Sequence, residues 1–135
     1  MMLVLKIVAV LYVISGLWCL FQPETAAMYV GYETRSAVAT AEFFTVYGGI
    51  QLGLGLAMLL GARKERYQEA TLFLAMVFSV TLVVARVISF MLYPNALDHV
   101  GAWLMAELEG VIAIALAIAF YRCVRREHSL RSSMI

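Results

Sequence analysis

The sequence predicts an all-α integral membrane protein: a four-helix bundle with a short interfacial helix after the first span. Three observations carry that prediction. Of 135 residues, 64% are hydrophobic and only 14% charged. A soluble domain carries about 25% charged residues, so too few are present to cover a water-facing surface. Four apolar stretches have the length of about 20 residues that crosses a hydrocarbon core. Turn and charge signals separate those stretches and leave room for one domain, residues 1–121, followed by a basic tail, 122–135. The net charge of +1 gives no reason to expect a nucleic-acid partner.

Span one covers residues 3–21 and is apolar apart from Lys6, whose stem can carry its ammonium back to the interface. Gly16-Leu17-Trp18-Cys19 is no lipoprotein processing site, because bulky Trp18 stands where a small residue is needed; the stretch reads as an uncleaved span. Pro23, Glu24 and Gly31 then mark a short helix, with proline in the first turn, an acid beside it and glycine at the stop. Its mostly apolar composition places it in the interface plane. Span two covers 36–60, with Ser36 as N-cap. Residues 61–69 read as a charged connector. Span three, 70–92, is interrupted only by Arg86, and Tyr93-Pro94-Asn95 is a turn signal. Span four covers 102–121, and the tail after it is expected to be partly disordered.

Orientation follows from the basic residues. Arg63, Lys64 and Arg66 in the second connector and Arg122, Arg125, Arg126 and Arg131 in the tail stand against Arg35 alone in the other two connectors. By the positive-inside rule both termini face the cytoplasm. Trp18, Tyr93 and Trp103 then form the outer aromatic belt, with Tyr67 and Tyr121 at the inner interface. His128 in the tail reads as a solvated group near anionic lipid. Cys19 and Cys123 fall on opposite sides, which excludes a disulfide between them and leaves both as packing residues.

Three ionisable groups share one depth. Glu42, Arg86 and Glu107 each lie roughly 9–11 Å from the outer end of their helix. A charge at that depth is costly unless it faces the bundle and finds a partner. Arg86 between Glu42 and Glu107 is the economical arrangement, since a planar guanidinium can bridge two carboxylates. Glu107 and Glu109 are about 200° apart on the helix, so only one can face inward. The stripe Trp103, Glu107, Gly110, Ile114 favours Glu107, leaving Glu109 for another neighbour or a second subunit. Ser79, Leu82, Ser89 and Tyr93 share the stripe of Arg86. Tyr47 and Gln51, one turn apart, are candidates to line a polar groove. Asp98 and His99 on the outer loop are either a solvated pair or a catalytic one. The triad itself supports two readings, a ligand site or a device that fixes which helix faces pair.

Span two carries small residues on two sides. Glu42, Thr45, Gly49 and Gly53 share one face, and Gly48, Gln51 and Gly55 fall roughly opposite, so helices can approach closely on both. A homodimer through the Gly48/Gly55 or the Gly49/Gly53 face is one consequence. The sequence holds no HExxH, CxxC, GxSxG or P-loop motif, and its two histidines are assigned to opposite membrane faces. No metal ion or cofactor is expected.

Phe21-Gln22-Pro23, Glu42-Phe43, Tyr47-Gly48-Gly49-Ile50-Gln51, Arg86 and Asp98 together resemble a family of uncharacterised four-span bacterial membrane proteins. That family is known as a domain of unknown function and is similar to the broader DoxX-like group. The resemblance covers nearly the whole chain; Thr45, in place of a basic residue, and His99, in place of glycine, depart from its pattern. It implies a four-helix bundle in the bacterial cytoplasmic membrane. DoxX-like proteins include membrane partners of oxidoreductases, which implies an accessory role near quinones.

Three functions fit these residues. The first is a binding or accessory protein that holds a lipid, quinone or other hydrophobic molecule, its head at the polar layer formed by Glu42, Arg86, Glu107, Tyr47, Gln51 and Asp98. The second is an enzyme on a hydrophobic substrate, with a carboxylate as acid or base and Arg86 stabilising an oxyanion. The third is a structural subunit that oligomerises through its small-residue faces. Four spans without an inverted repeat argue against a transporter.

Overall fold

The structure, a computed structural model, describes the backbone of residues 2–132 and the side chains of residues 2–125. Every regular element among these residues is helical. The first span is α1, Met2–Phe21. Helix α2, Pro23–Tyr29, follows as predicted, and Gly31 takes a φ of +78° where the chain turns away. Span two is composite: α3 (Ala37–Phe43), a π-helical segment (Phe44–Gly49) and α4 (Ile50–Arg63) run on as one rod. Ser36 caps it, its Oγ accepting from the backbone N–H of Ala39 at 3.1 Å. Helix α5 covers Glu65–Leu92, a 3-10 turn covers Pro94–Asp98, and α6 covers Val100–Ser132.

Two boundaries differ from the sequence reading. The expected connector over residues 61–69 shrinks to Lys64, the one extended residue between α4 and α5. Its charged side chains are exposed and cost the helices nothing, while Gly61 and Ala62 are buried and packed. The expected tail from residue 122 instead continues α6 through Ser132. Arginines are good helix formers and extend a helix already nucleated in the bundle. The side chains of Arg126, His128 and Arg131, to which the sequence reading gave roles, lie outside the described residues.

Among the described residues, four helical rods are long and apolar enough to cross a membrane: residues 2–21, 37–63, 65–92 and 100–125. The closest pairs are α1 with α4 and α5 with α6; α4 and α5 join them as a hairpin. Glycine sets the first pairing. A methyl group on Gly16 would stand 2.5 Å from the backbone nitrogen of Leu52, and one on Gly55 would stand 2.8 Å from the carbonyl oxygen of Ala9. Gly48 faces α1 too, against Leu20. Of the two glycine faces considered for a dimer, Gly48/Gly55 is therefore taken up within the chain. Gly49 and Gly53 look onto open space.

The interior divides in two. One core contains Leu5, Val8, Ala9, Met58, Ala62, Leu72, Ala75, Ile112, Leu116 and Ala119, with Cys123 packed on it. It fills the end of the bundle near the termini. A smaller one, Cys19, Ala26, Ala27 and Phe43, closes the end that carries α2 and the 3-10 turn, here called the loop end. The two cysteines thus belong to different cores.

Candidate functional site

Beside the loop-end core is a cavity of about 300 Å³. Each helical rod contributes to it: Ser15, Trp18 and Cys19 from α1, Phe43, Tyr47 and Gln51 from the composite span, Arg86 from α5, and Met105 and Glu109 from α6. Ala26 and Val30 of the α2 region and Tyr32 close it from the loop end. One side is aromatic. Phe43 and Tyr47 stack with ring centroids 4.6 Å apart, and Tyr32 leans on both at 5.7 and 6.3 Å.

The polar side is an ion pair. Arg86 donates from Nε to Glu109 Oε2 at 2.9 Å and from Nη2 to Glu109 Oε1 at 2.6 Å, a bidentate fork. The side chains are 32% and 15% exposed, so Glu109 is the more enclosed partner. Ser89 Oγ donates to the Arg86 carbonyl at 2.8 Å and ties down the turn that presents the guanidinium. Gln51 reaches the same cavity, and its Oε1 is buried with no hydrogen-bond partner. A buried amide oxygen left unpaired costs about 1–3 kcal/mol, so this is a place where a ligand donor or a water would be stabilised.

The structure brings together Arg86, Tyr47 and Gln51 of the predicted site and leaves out the other three. Glu107 is exposed and Glu109 takes its place. Trp103 and Ile114, which favoured Glu107, are 48% and 63% exposed, so that stripe faces outward. The inward stripe is Met105, Glu109, Ile112, Leu116 and Ala119, spaced alternately by four and three residues. The outward stripe of Trp103, Glu107, Gly110 and Ile114 has the same alternation, so the spacing alone did not choose between the two glutamates; the packing of α6 on α5 did. Glu42 is exposed too, because Phe43 is the residue that α3 buries, at 2% exposure. Span two divides into the two faces that the spacing predicts, but a helix approaches one of them only: Gly48, Gln51 and Gly55 turn inward, and Gly49 and Gly53 look outward onto open space. Glu42 belongs to the outward face, and the triad is a pair. Asp98 is exposed in the 3-10 turn and does not line the cavity. His99 lies over Gly31, where an added methyl would sit 3.1 Å from Nε2.

No sequence signal announced the π-helical segment. Its wider i→i+5 turns cover Phe44–Gly49 and so include Tyr47, one of the residues on the aromatic wall. Such turns recur at functional sites. Among the described residues no group of three His, Cys, Asp or Glu side chains could hold a metal ion.

Four apolar rods around a small polar cavity define a multi-pass helical membrane protein. The chain belongs to the family described as a domain of unknown function (DUF4345), whose profile matches residues 1–120. No curated protein and no solved structure matches the chain.

Proposed function

We propose that this protein holds a hydrophobic small molecule, a lipid, a quinone or another amphiphile, in the loop-end cavity. The polar head would lie against Gln51, Tyr47 and the Arg86–Glu109 pair, and the apolar body against Phe43, Trp18 and Met105. The observation that carries this reading is the unpartnered Gln51 Oε1 in a cavity of about 300 Å³ beside a bidentate ion pair. A device that only pairs helix faces needs no cavity, and its polar atoms would be satisfied. Both oxygens of Glu109 are engaged by Arg86, which supports holding a molecule over proton transfer by that carboxylate.

The placement proposed is the bacterial cytoplasmic membrane, with both termini in the cytoplasm and the cavity in the outer half. Arg63, Lys64, Arg66, Arg122 and Arg125 at one end against Arg35 at the other support that orientation. The open Gly49/Gly53 face is where a second copy or a membrane oxidoreductase would approach. Native mass spectrometry of the full chain in mild detergent tests the reading, with Gln51→Leu and Arg86→Gln beside the wild type. The expected result is a discrete co-purified mass on the wild type that both variants lose while remaining folded. A folded wild type with no bound mass, or a mass that both folded variants keep, overturns it.

A further inference from the structure

A second concavity lies at the opposite end of the bundle, in the crotch of the α4–α5 hairpin. It is an open groove of about 590 Å³. Ala57, Leu60, Ala70 and Leu74 form its apolar walls, and Arg63 and Lys64 stand at its head. Leu60 and Leu74 are 61% and 66% exposed, so the walls face the hydrocarbon rather than the bundle. Gly61 lets Thr71 press against α4, which holds the two helices together at the floor.

The charges at this head are segregated. Arg66 lies over the ring of Tyr67, its guanidinium carbon 4.4 Å from the centroid, and Tyr67 lines the groove. Glu65 and Glu69 flank Tyr67 two residues to either side on α5, about 200° round the helix, and neither lines the groove. The described residues form ion pairs at Arg35–Glu33 and Arg86–Glu109, and neither Glu65 nor Glu69 pairs with Arg63, Lys64 or Arg66. Cations that decline two adjacent carboxylates at the head of an apolar groove match a molecule with an anionic head and a hydrocarbon body.

We propose that the α4–α5 groove binds an anionic phospholipid, its phosphate at Arg63 and Lys64 and an acyl chain along Leu60 and Leu74. Basic recesses between transmembrane helices suit such headgroups. The site is separate from the loop-end cavity and does not depend on what that cavity holds.

The test is native mass spectrometry of the full chain with equimolar phosphatidylglycerol and phosphatidylcholine of identical acyl chains. Each basic group near the surface gives about a five-fold preference for an anionic lipid, so the pair gives roughly 25-fold. The wild type should show that preference, Arg63→Gln/Lys64→Gln should fall to near parity, and Arg122→Gln/Arg125→Gln should keep it. Millimolar inorganic phosphate should fail to displace the lipid. Equal retention of both lipids by the wild type overturns the proposal, as does an unchanged preference in Arg63→Gln/Lys64→Gln. So does an equal loss in the Arg122→Gln/Arg125→Gln control, which would point to the basic interface at large. Displacement by phosphate alone would mean an anion site without an acyl groove.

Discussion

Replacing Glu109 by alanine strands the Arg86 guanidinium inside the bundle. The pair is joined by two charge-assisted hydrogen bonds, at 2.9 and 2.6 Å, each worth about 1.5–3 kcal/mol. Breaking a buried pair costs about 3–5 kcal/mol because one charge is left unpaired. Arg86 is 32% exposed, so part of that cost is relieved as the long side chain reaches for water or a headgroup, giving about 3 kcal/mol. Glu107→Ala, two residues away on an exposed position, should cost nothing or raise stability, since it removes an unpaired carboxylate from the outer face of the span. Removing both charges in Arg86→Leu/Glu109→Leu should recover most of the loss, since no ion is then left unpaired. Reversible unfolding in mixed micelles, titrated with a denaturing detergent, measures all four proteins. Equal losses for Glu107→Ala and Glu109→Ala would refute the assignment of the inward face of α6. A double variant no better than Glu109→Ala would refute the reasoning about the stranded charge.

The glycines divide by face in the same assay. Gly16→Ala should lose about 1–3 kcal/mol, because its methyl meets the Leu52 backbone at 2.5 Å. Gly53→Ala, with open space around it, should be neutral or gain up to about 1 kcal/mol from helix propensity. Gln51→Leu removes an unpartnered buried oxygen and should raise the stability of the ligand-free protein by about 1 kcal/mol while abolishing retention of the co-purified mass. A stable Gln51→Leu that still holds the mass would sever Gln51 from the site. Ser36→Ala removes the hydroxyl that accepts from Ala39 and should cost about 0.5–1 kcal/mol, seen as faster amide exchange over residues 37–40.

The π-helical segment bears on the trade between stability and binding. Wider turns pack less well than α-turns and persist where something offsets them. Here they follow a capped helix start at Ser36, contain the contact of Gly48 with α1, and precede that of Gly55. Phe43 and Tyr47, stacked at 4.6 Å, stand at the start of this segment and within it.

By itself the amino-acid sequence determined the class and the rods. Four apolar stretches, a shortage of charge, a serine cap at 36 and the proline and glycine bounding α2 are local properties, and each acts within a turn or two of helix. It also separated the two faces of span two, because helical periodicity is local. What it left open was which face meets the rest of the bundle. Glu107 and Glu109 are equally good carboxylates at nearly equal depth, and only the packing of α6 on α5 turns one of them to Arg86. Glu42 shares a helix with Gln51 but not a face, and the approach of α1 to Gly48 and Gly55 decided which face went inside. The cavity has no sequence signature at all. It is the space left where two cores stop short of one another, and residues from four helices must be in place before it exists.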